Sequence, residues 1–235
     1  MDKRMQLFCI PYAGGMADVF RELPELLGDG FEVTALEYAG HGRRKTEPFY
    51  RDFGELADDI AGRIKEGRRA DAPFAVFGYS MGSVAAYEVI TRRLGEVPEH
   101  IFLASHEAPD VEWDSKKYET LDDDAFMDEL ITFGGFGEKD RQLLKNRFFY
   151  KLYFRPIRED YRLLANYRME ERHLLPADTT VFYSPDDPSA AQIESWSRFA
   201  GKGIEYIPLG HDHFFIRQHA REIAQVIRER CGLLV

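Results

Sequence analysis

A mostly parallel α/β sheet is the fold class this sequence predicts, on three observations. Short apolar runs recur along the chain, amphipathic stretches of helical period lie between most of them, and glycine- or proline-bearing turns punctuate the junctions. Six runs read as strands, at residues 7–11, 31–38, 74–79, 100–105, 179–184 and 204–209. Such alternation implies right-handed crossovers and helices on both faces, with functional residues gathered at the C-terminal ends of the strands. At 235 residues and 44% hydrophobic, the chain can bury one full core with a single insertion, whereas two independent domains would be cramped.

Taken in order, the first run ends in the glycine-rich turn Pro11-Tyr12-Ala13-Gly14-Gly15, and the second leads into Gly40-His41-Gly42-Arg43-Arg44. The third runs directly into Gly78-Tyr79-Ser80-Met81-Gly82, after which residues 83–90 have the character of a helix. A serine between flanking glycines at a tight strand-to-helix turn is a candidate nucleophile elbow. The glycines leave room for strand and helix to approach, and the hydroxyl stands clear of the sheet edge. After the fourth run the rhythm breaks, because the stretch up to residue 179 is far longer than a strand-to-helix connection needs. Residues 106–172 are therefore read as a helical lid insertion, and residues 1–105 and 173–235 as the core. The insertion holds an acidic start at Leu121-Asp122-Asp123-Asp124, a glycine hinge at Phe133-Gly134-Gly135-Phe136-Gly137, and the aromatics Phe148, Phe149, Tyr150, Tyr153 and Phe154. An added packing layer is the alternative reading of this segment.

Composition narrows the function classes. A net charge of −10 offers no basic stripe for nucleic acid. No apolar run approaches bilayer-spanning length, so no membrane partner is expected. The first ten residues fall short of the apolar core of about 7–15 residues of a signal peptide, and Cys9 and Cys231 form no disulfide framework. A reducing cytoplasm is the expected location, and a monomer the expected state.

A serine hydroxyl needs a base, and the chain supplies candidates after the elbow. Gly210-His211-Asp212-His213-Phe214-Phe215 places two imidazoles just past the last strand. His213 is preferred, because Phe214 and Phe215 would wall it off from water and anchor the final helix; His211 stays open. A metal role for the His-x-His pair finds no third ligand at recognisable spacing. Past the preceding strand, Ser184-Pro185-Asp186-Asp187-Pro188 offers two carboxylates, of which Asp187 is the choice and Asp186 the alternative. The acid would take the Nδ1 proton and stabilise the imidazolium formed during attack. Two backbone amides are assigned to the developing oxyanion, those of Met81 at a helix N-terminus and Ala13 in the first glycine turn.

Together, Pro11-Tyr12-Ala13-Gly14-Gly15, Gly40-His41-Gly42-Arg43-Arg44 with Glu47-Pro48, Phe77 to Gly82, Arg155 to Tyr161 with Tyr167, Asp187-Pro188 with Trp196, and His213-Phe214-Phe215 resemble the type II thioesterases of nonribosomal peptide and polyketide synthesis, within the α/β-hydrolase superfamily. The ordered set spans nearly the whole chain. The resemblance implies an α/β-hydrolase fold, a triad of Ser80, Asp187 and His213, and an oxyanion hole of Ala13 and Met81. It further implies hydrolysis of acyl groups from the phosphopantetheine arm of carrier proteins, with no cofactor and no metal. Lys116, Lys117, Arg147, Lys151 and Arg158 are candidates for the rim where a carrier protein would dock. The sequence departs from the family's habit at Tyr79, where His is common, at Glu37 and Ala39 in place of Gln and Pro, and at Ser184 in place of a glycine. A carboxylesterase of small soluble esters is the second reading, and a noncatalytic binding module a distant third.

Overall fold

The computed structural model describes residues 4–111 and 117–232. Six parallel strands form one sheet in the order β2-β1-β3-β4-β5-β6, with β1 at Met5–Ile10, β2 at Phe31–Ala35, β3 at Phe74–Tyr79, β4 at His100–Ala104, β5 at Thr179–Tyr183 and β6 at Ile204–Pro208. Every run expected from the sequence is a strand. The second is shorter than expected, because after Leu36 has bonded to the Cys9 carbonyl the chain turns off the sheet edge. Tyr38 is then buried, its hydroxyl donating to the Pro11 carbonyl at 2.6 Å.

Alternate residues of the central strands face opposite layers, as the two-residue period of a strand requires. Phe8, Ile10, Val76, Ile101, Leu103 and Val181 pack under α2 (Phe53–Gly67), α3 (Met81–Arg92) and the 3-10 stretch Pro188–Phe199. On the other face Leu7, Cys9, Phe77, Phe102 and Phe182 are covered by α1 (Leu23–Leu27) and α8 (Ile216–Arg230). Burial on both faces leaves β3 without a charged or amide side chain, and β1 apolar except for Gln6, whose buried side chain donates to the Gly67 carbonyl and accepts the Arg69 amide. Each large side chain so removed from water contributes about 1.5–3 kcal/mol.

Chain order reverses across β1. From β1 the chain passes to its neighbour β2 on one side, then returns to β3 on the other. Such a switch point opens a crevice beyond the carboxyl ends of the two strands. The glycine turn after β1 and the serine elbow after β3 both border it.

Between β4 and β5 come α4 (Lys117–Thr120), α5 (Asp123–Thr132), the 3-10 stretch Glu138–Lys145, α6 (Arg147–Phe149), a π turn at Tyr150–Phe154 and α7 (Arg155–Asn166). Asp122 caps α5, its carboxylate accepting the Ala125 amide. The π turn ends where Pro156, which has no N–H to give, enters the first turn of α7. Tyr118, Phe126, Met127, Leu130, Phe154 and Ile157 form a separate small core inside this segment. Toward the main body, Arg162 donates to the Tyr50 and Arg51 carbonyls and the Tyr167 hydroxyl to Glu88. No helix among the described residues is long and apolar enough to cross a membrane.

Close approach of backbone fixes how α3 sits on the sheet. A Cβ on Gly82 would lie 2.2 Å from the Ile10 carbonyl oxygen, and one on Gly78 would lie 2.2 Å from the Gly82 carbonyl oxygen. Backbone cannot yield as a flexible side chain does. Gly82→Ala is expected to lower the unfolding free energy by about 2 kcal/mol or more, measured by urea denaturation. An unchanged midpoint would show that α3 can lift from β1 at little cost.

Candidate active site

Ser80 joins β3 to α3 at φ +53° and ψ −118°, a region that residues other than glycine rarely enter. Holding it there costs about 1–3 kcal/mol, which the surroundings must offset. They do so through fixed hydrogen bonds. The Ser80 amide donates to the Ala104 carbonyl at 2.7 Å, and Ser83 donates its amide to the Ser80 carbonyl at 2.7 Å. Ser83 Oγ lies 2.9 Å from the Gly78 and Ala104 carbonyl oxygens and accepts the Ala104 amide at 3.0 Å. The elbow is thus bolted to β4.

His213 Nε2 stands 3.0 Å from Ser80 Oγ, and its Nδ1 stands 2.5 Å from Asp187 Oδ2. With Nδ1–H donating to the carboxylate, Nε2 is left with the lone pair that accepts the serine proton. Asp187 is almost wholly buried and takes a second bond from the Ser189 amide at 2.8 Å. Burial opposes ionisation of Asp187, but the His213 contact and the Ser189 amide outweigh it and hold the carboxyl below its usual range. His211 pairs with Asp186 instead, at 2.9 Å, with side chains 90% and 61% exposed. Of the two imidazoles and two carboxylates open in the sequence, the structure brings one of each to Ser80 and leaves the others in solvent.

Aromatic packing separates the two histidines. Phe215 is fully buried beneath α8, while the rings of Phe214 and Phe133 lie 5.0 and 5.9 Å from that of His213. The His213 carbonyl receives the Tyr79 hydroxyl at 2.9 Å and the Ser105 hydroxyl at 3.2 Å. Neither residue stands out in the sequence as a support of the histidine. Tyr79 stands where the resembled family commonly has His, which marks the position but not this bond. Ser105, also at φ +53°, had no such mark.

The Met81 amide opens α3 directly after Ser80, and the Ala13 amide belongs to the β1 turn, whose Ala13 lines the same cavity as Ser80. Among the described residues neither donates to a protein acceptor. Beside them opens a cavity of about 310 Å³ lined by Ala13, Ser80, Val111, Phe133, Tyr161, Leu164, Asp187 and His213, among others. None of the aromatics at 148–154 is part of its wall. Phe154 is committed to the small core of the insertion, whereas Phe148 and Tyr153 face solvent. Of the rim candidates, Lys116 lies outside the described residues and nothing is described of the Lys117 side chain. Arg158 is spent on the Leu121 carbonyl and Asp123, and Arg147 and Lys151 are exposed. No group of three His, Cys, Asp or Glu side chains that could hold a metal occurs among the described residues.

A sequence profile of the thioesterase domain matches residues 5–231. The chain is 31% identical to the RedJ thioesterase from the prodiginine pathway of Streptomyces coelicolor, with a TM-score of 0.84 over 96% of this chain and 85% of that one. It is 24% identical to the gramicidin S biosynthesis protein GrsT of Aneurinibacillus migulanus over 99% of this chain and 91% of that protein. It is also 25% identical to the linear gramicidin dehydrogenase LgrE of Brevibacillus parabrevis, over 94% and 85% of the two.

Asp187 carries a consequence for acid stability. Its folded value is depressed, so its contribution is present in full above the unfolded carboxyl value of about 3.9 and is lost as pH falls through the folded one. The stability gap between wild type and Asp187→Asn should therefore narrow on acidification below about pH 4, followed by denaturant titration from pH 5 downward. A gap that stays constant through that window would mean the carboxylate gains nothing from its partners.

Proposed function

The chain belongs to the thioesterase domain family, and on that premise we propose that it is a serine thioesterase that releases acyl groups from the phosphopantetheine arm of carrier proteins, as an editing enzyme of nonribosomal peptide or polyketide synthesis. The observation that carries this reading is the chain of contacts from Ser80 Oγ to His213 Nε2 to Asp187, beside a largely apolar cavity.

In the proposed cycle His213 Nε2 takes the Ser80 proton as Oγ attacks the thioester carbonyl carbon. The carbonyl oxygen becomes an oxyanion between the Ala13 and Met81 amides, each donor being worth on the order of 3 kcal/mol in reactions of this kind. Asp187 keeps the ring in the productive tautomer and stabilises the imidazolium. Collapse of the intermediate breaks the C–S bond and leaves the acyl group on Ser80. A thiol of ordinary pKa near 8.5 is a good leaving group, so little proton donation is needed at that step. The departing thiolate takes the proton from Nε2, which is then free to deprotonate the water that attacks the acyl carbonyl, and Nε2 returns that proton to Oγ as the acid is released. Residues 106–172 act as the lid of the cavity, and the carrier protein docks at its rim.

Two other readings meet specific obstacles. Small soluble esters could use the same machinery, but an alkoxide leaves far less readily and would demand more of His213 as an acid. LgrE is named a dehydrogenase, yet the turn after β1 here reads Pro11-Tyr12-Ala13-Gly14-Gly15 and the sequence contains no Gly-x-Gly-x-x-Gly fingerprint.

Mixing the protein with acyl-loaded carrier protein should place the acyl mass on the Ser80 peptide, read by mass spectrometry, and kcat/KM should favour the carrier substrate over simple esters. Ser80→Ala should show neither adduct nor turnover. Asp187→Asn should lower kcat by about 10⁴-fold through the wrong imidazole tautomer, whereas His211→Ala should stay within about threefold of wild type, since its ring is solvated and away from Ser80. Higher kcat/KM on simple esters would move the assignment to a carboxylesterase.

A further inference from the structure

A histidine more deeply buried than His213 lies on the far side of the Ala13 turn. His41 is wholly inaccessible, and Asp160 of α7 is 1% exposed. His41 Nδ1 donates to the Ala39 carbonyl at 3.0 Å, while Nε2 lies 3.0 Å from Asp160 Oδ2, off the ring N–H axis, as an ion pair rather than an aligned hydrogen bond. With Nδ1 already protonated, a second proton on Nε2 turns its contact with the carboxylate oxygen from repulsive to attractive. Burial alone would favour the neutral ring, but Asp160, the Ala39 carbonyl and Glu37 outweigh it and raise His41 above the usual imidazole value. Its loop is tied down by Arg44, which donates to the Glu37 carbonyl and pairs with Asp59 and Glu47.

Asp160 Oδ2 also accepts the Gly14 amide at 2.6 Å. Gly14 stands at φ +75° as the third residue of a turn closed by the Gly15 amide on the Tyr12 carbonyl at 2.8 Å. In such a turn the middle peptide, here Ala13–Gly14, is free to rotate unless something fixes it. A carboxylate on the Gly14 side attracts that N–H and repels the Ala13 carbonyl oxygen. Ile157, one turn earlier on α7, closes the remaining space, since a Cβ on Gly14 would fall 2.1 Å from its Cγ1.

We infer that the His41–Asp160 pair is a positioning clamp that holds the β1 turn in place, keeping the Ala13 carbonyl turned away from the reacting oxygen so that the Ala13 amide of the preceding peptide can meet it. This rests on the reading of Ala13 as an oxyanion donor. The two charges have separate duties. Asp160 orients the turn, and His41 cancels a negative charge that would otherwise oppose an oxyanion forming one residue away.

The test is made on the full-length protein. In wild type the Gly14 amide proton should resonate well downfield of the other turn glycines and be protected from exchange. Asp160→Ala should abolish both signatures and lower kcat by about 10²-fold, with KM within about threefold and a matching loss of affinity for a trifluoromethyl ketone that mimics the tetrahedral intermediate. Asp160→Asn keeps an acceptor oxygen for Gly14 and should restore most of kcat. An ordinary, rapidly exchanging Gly14 amide in wild type would overturn the inference, without need of any variant. So would a loss confined to KM, or inhibitor affinity that Asp160→Ala leaves unchanged. If wild type released nothing from carrier proteins, the proposed function would fail, while the Gly14 signature and the inhibitor would still judge the clamp.

Discussion

The left-handed backbone at Ser80 is the constraint on which the rest depends. A serine forced to φ +53° points its hydroxyl away from both strand and helix, and it stays there only because the glycines either side let backbone meet backbone. The strain is offset by the bonds that lock the elbow to β4 through Ser83 and Ala104. The groups of the core that gather round Ser80 come from the ends of other parallel strands: His213 after β6 contacts it, Asp187 after β5 holds that ring, Ser105 after β4 bonds the His213 carbonyl, and Ala13 after β1 lines the same cavity. A parallel sheet puts all these ends on one side, and the reversal of strand order at β1 supplies the crevice.

Much of this was legible because it is written in local patterns. The six strands are buried apolar runs bounded by turns, and the elbow announces itself by glycine spacing against a strand and a helix. The choice of histidine was less so. His211 and His213 differ by two positions, and the separation comes from Phe215 anchoring beneath α8, which draws one ring inward and leaves the other beside Asp186 in water. The preference for His213 drew on that aromatic pair. The hydroxyl of Tyr79 on the His213 carbonyl could not be read, since a tyrosine in a buried strand signals packing first. Nor could the union of His41, Asp160 and Gly14, three residues from distant segments that meet only when α7 lies across the β1 turn.

That union divides the insertion. Its last helix is held to the core by Asp160, Arg162 and Tyr167, and Ile157 packs on Gly14 without room for a methyl group. The earlier part, from α5 to the π turn, keeps an apolar core of its own around Phe126 and Phe154, and Phe148 faces solvent at its surface. The wall of the cavity is correspondingly mixed. Tyr161 and Leu164 come from the anchored helix and Phe133 from the glycine-bearing bend after α5.

The central claim is that Ser80 and two inward-facing amides act on one carbonyl group. A crystal structure of the protein after reaction with an alkyl fluorophosphonate tests it most directly. The account predicts phosphorus bonded to Ser80 Oγ, with the phosphonyl oxygen about 2.7–3.1 Å from both the Ala13 and Met81 nitrogens. A phosphonyl oxygen turned to solvent, or an adduct on another residue, would contradict it.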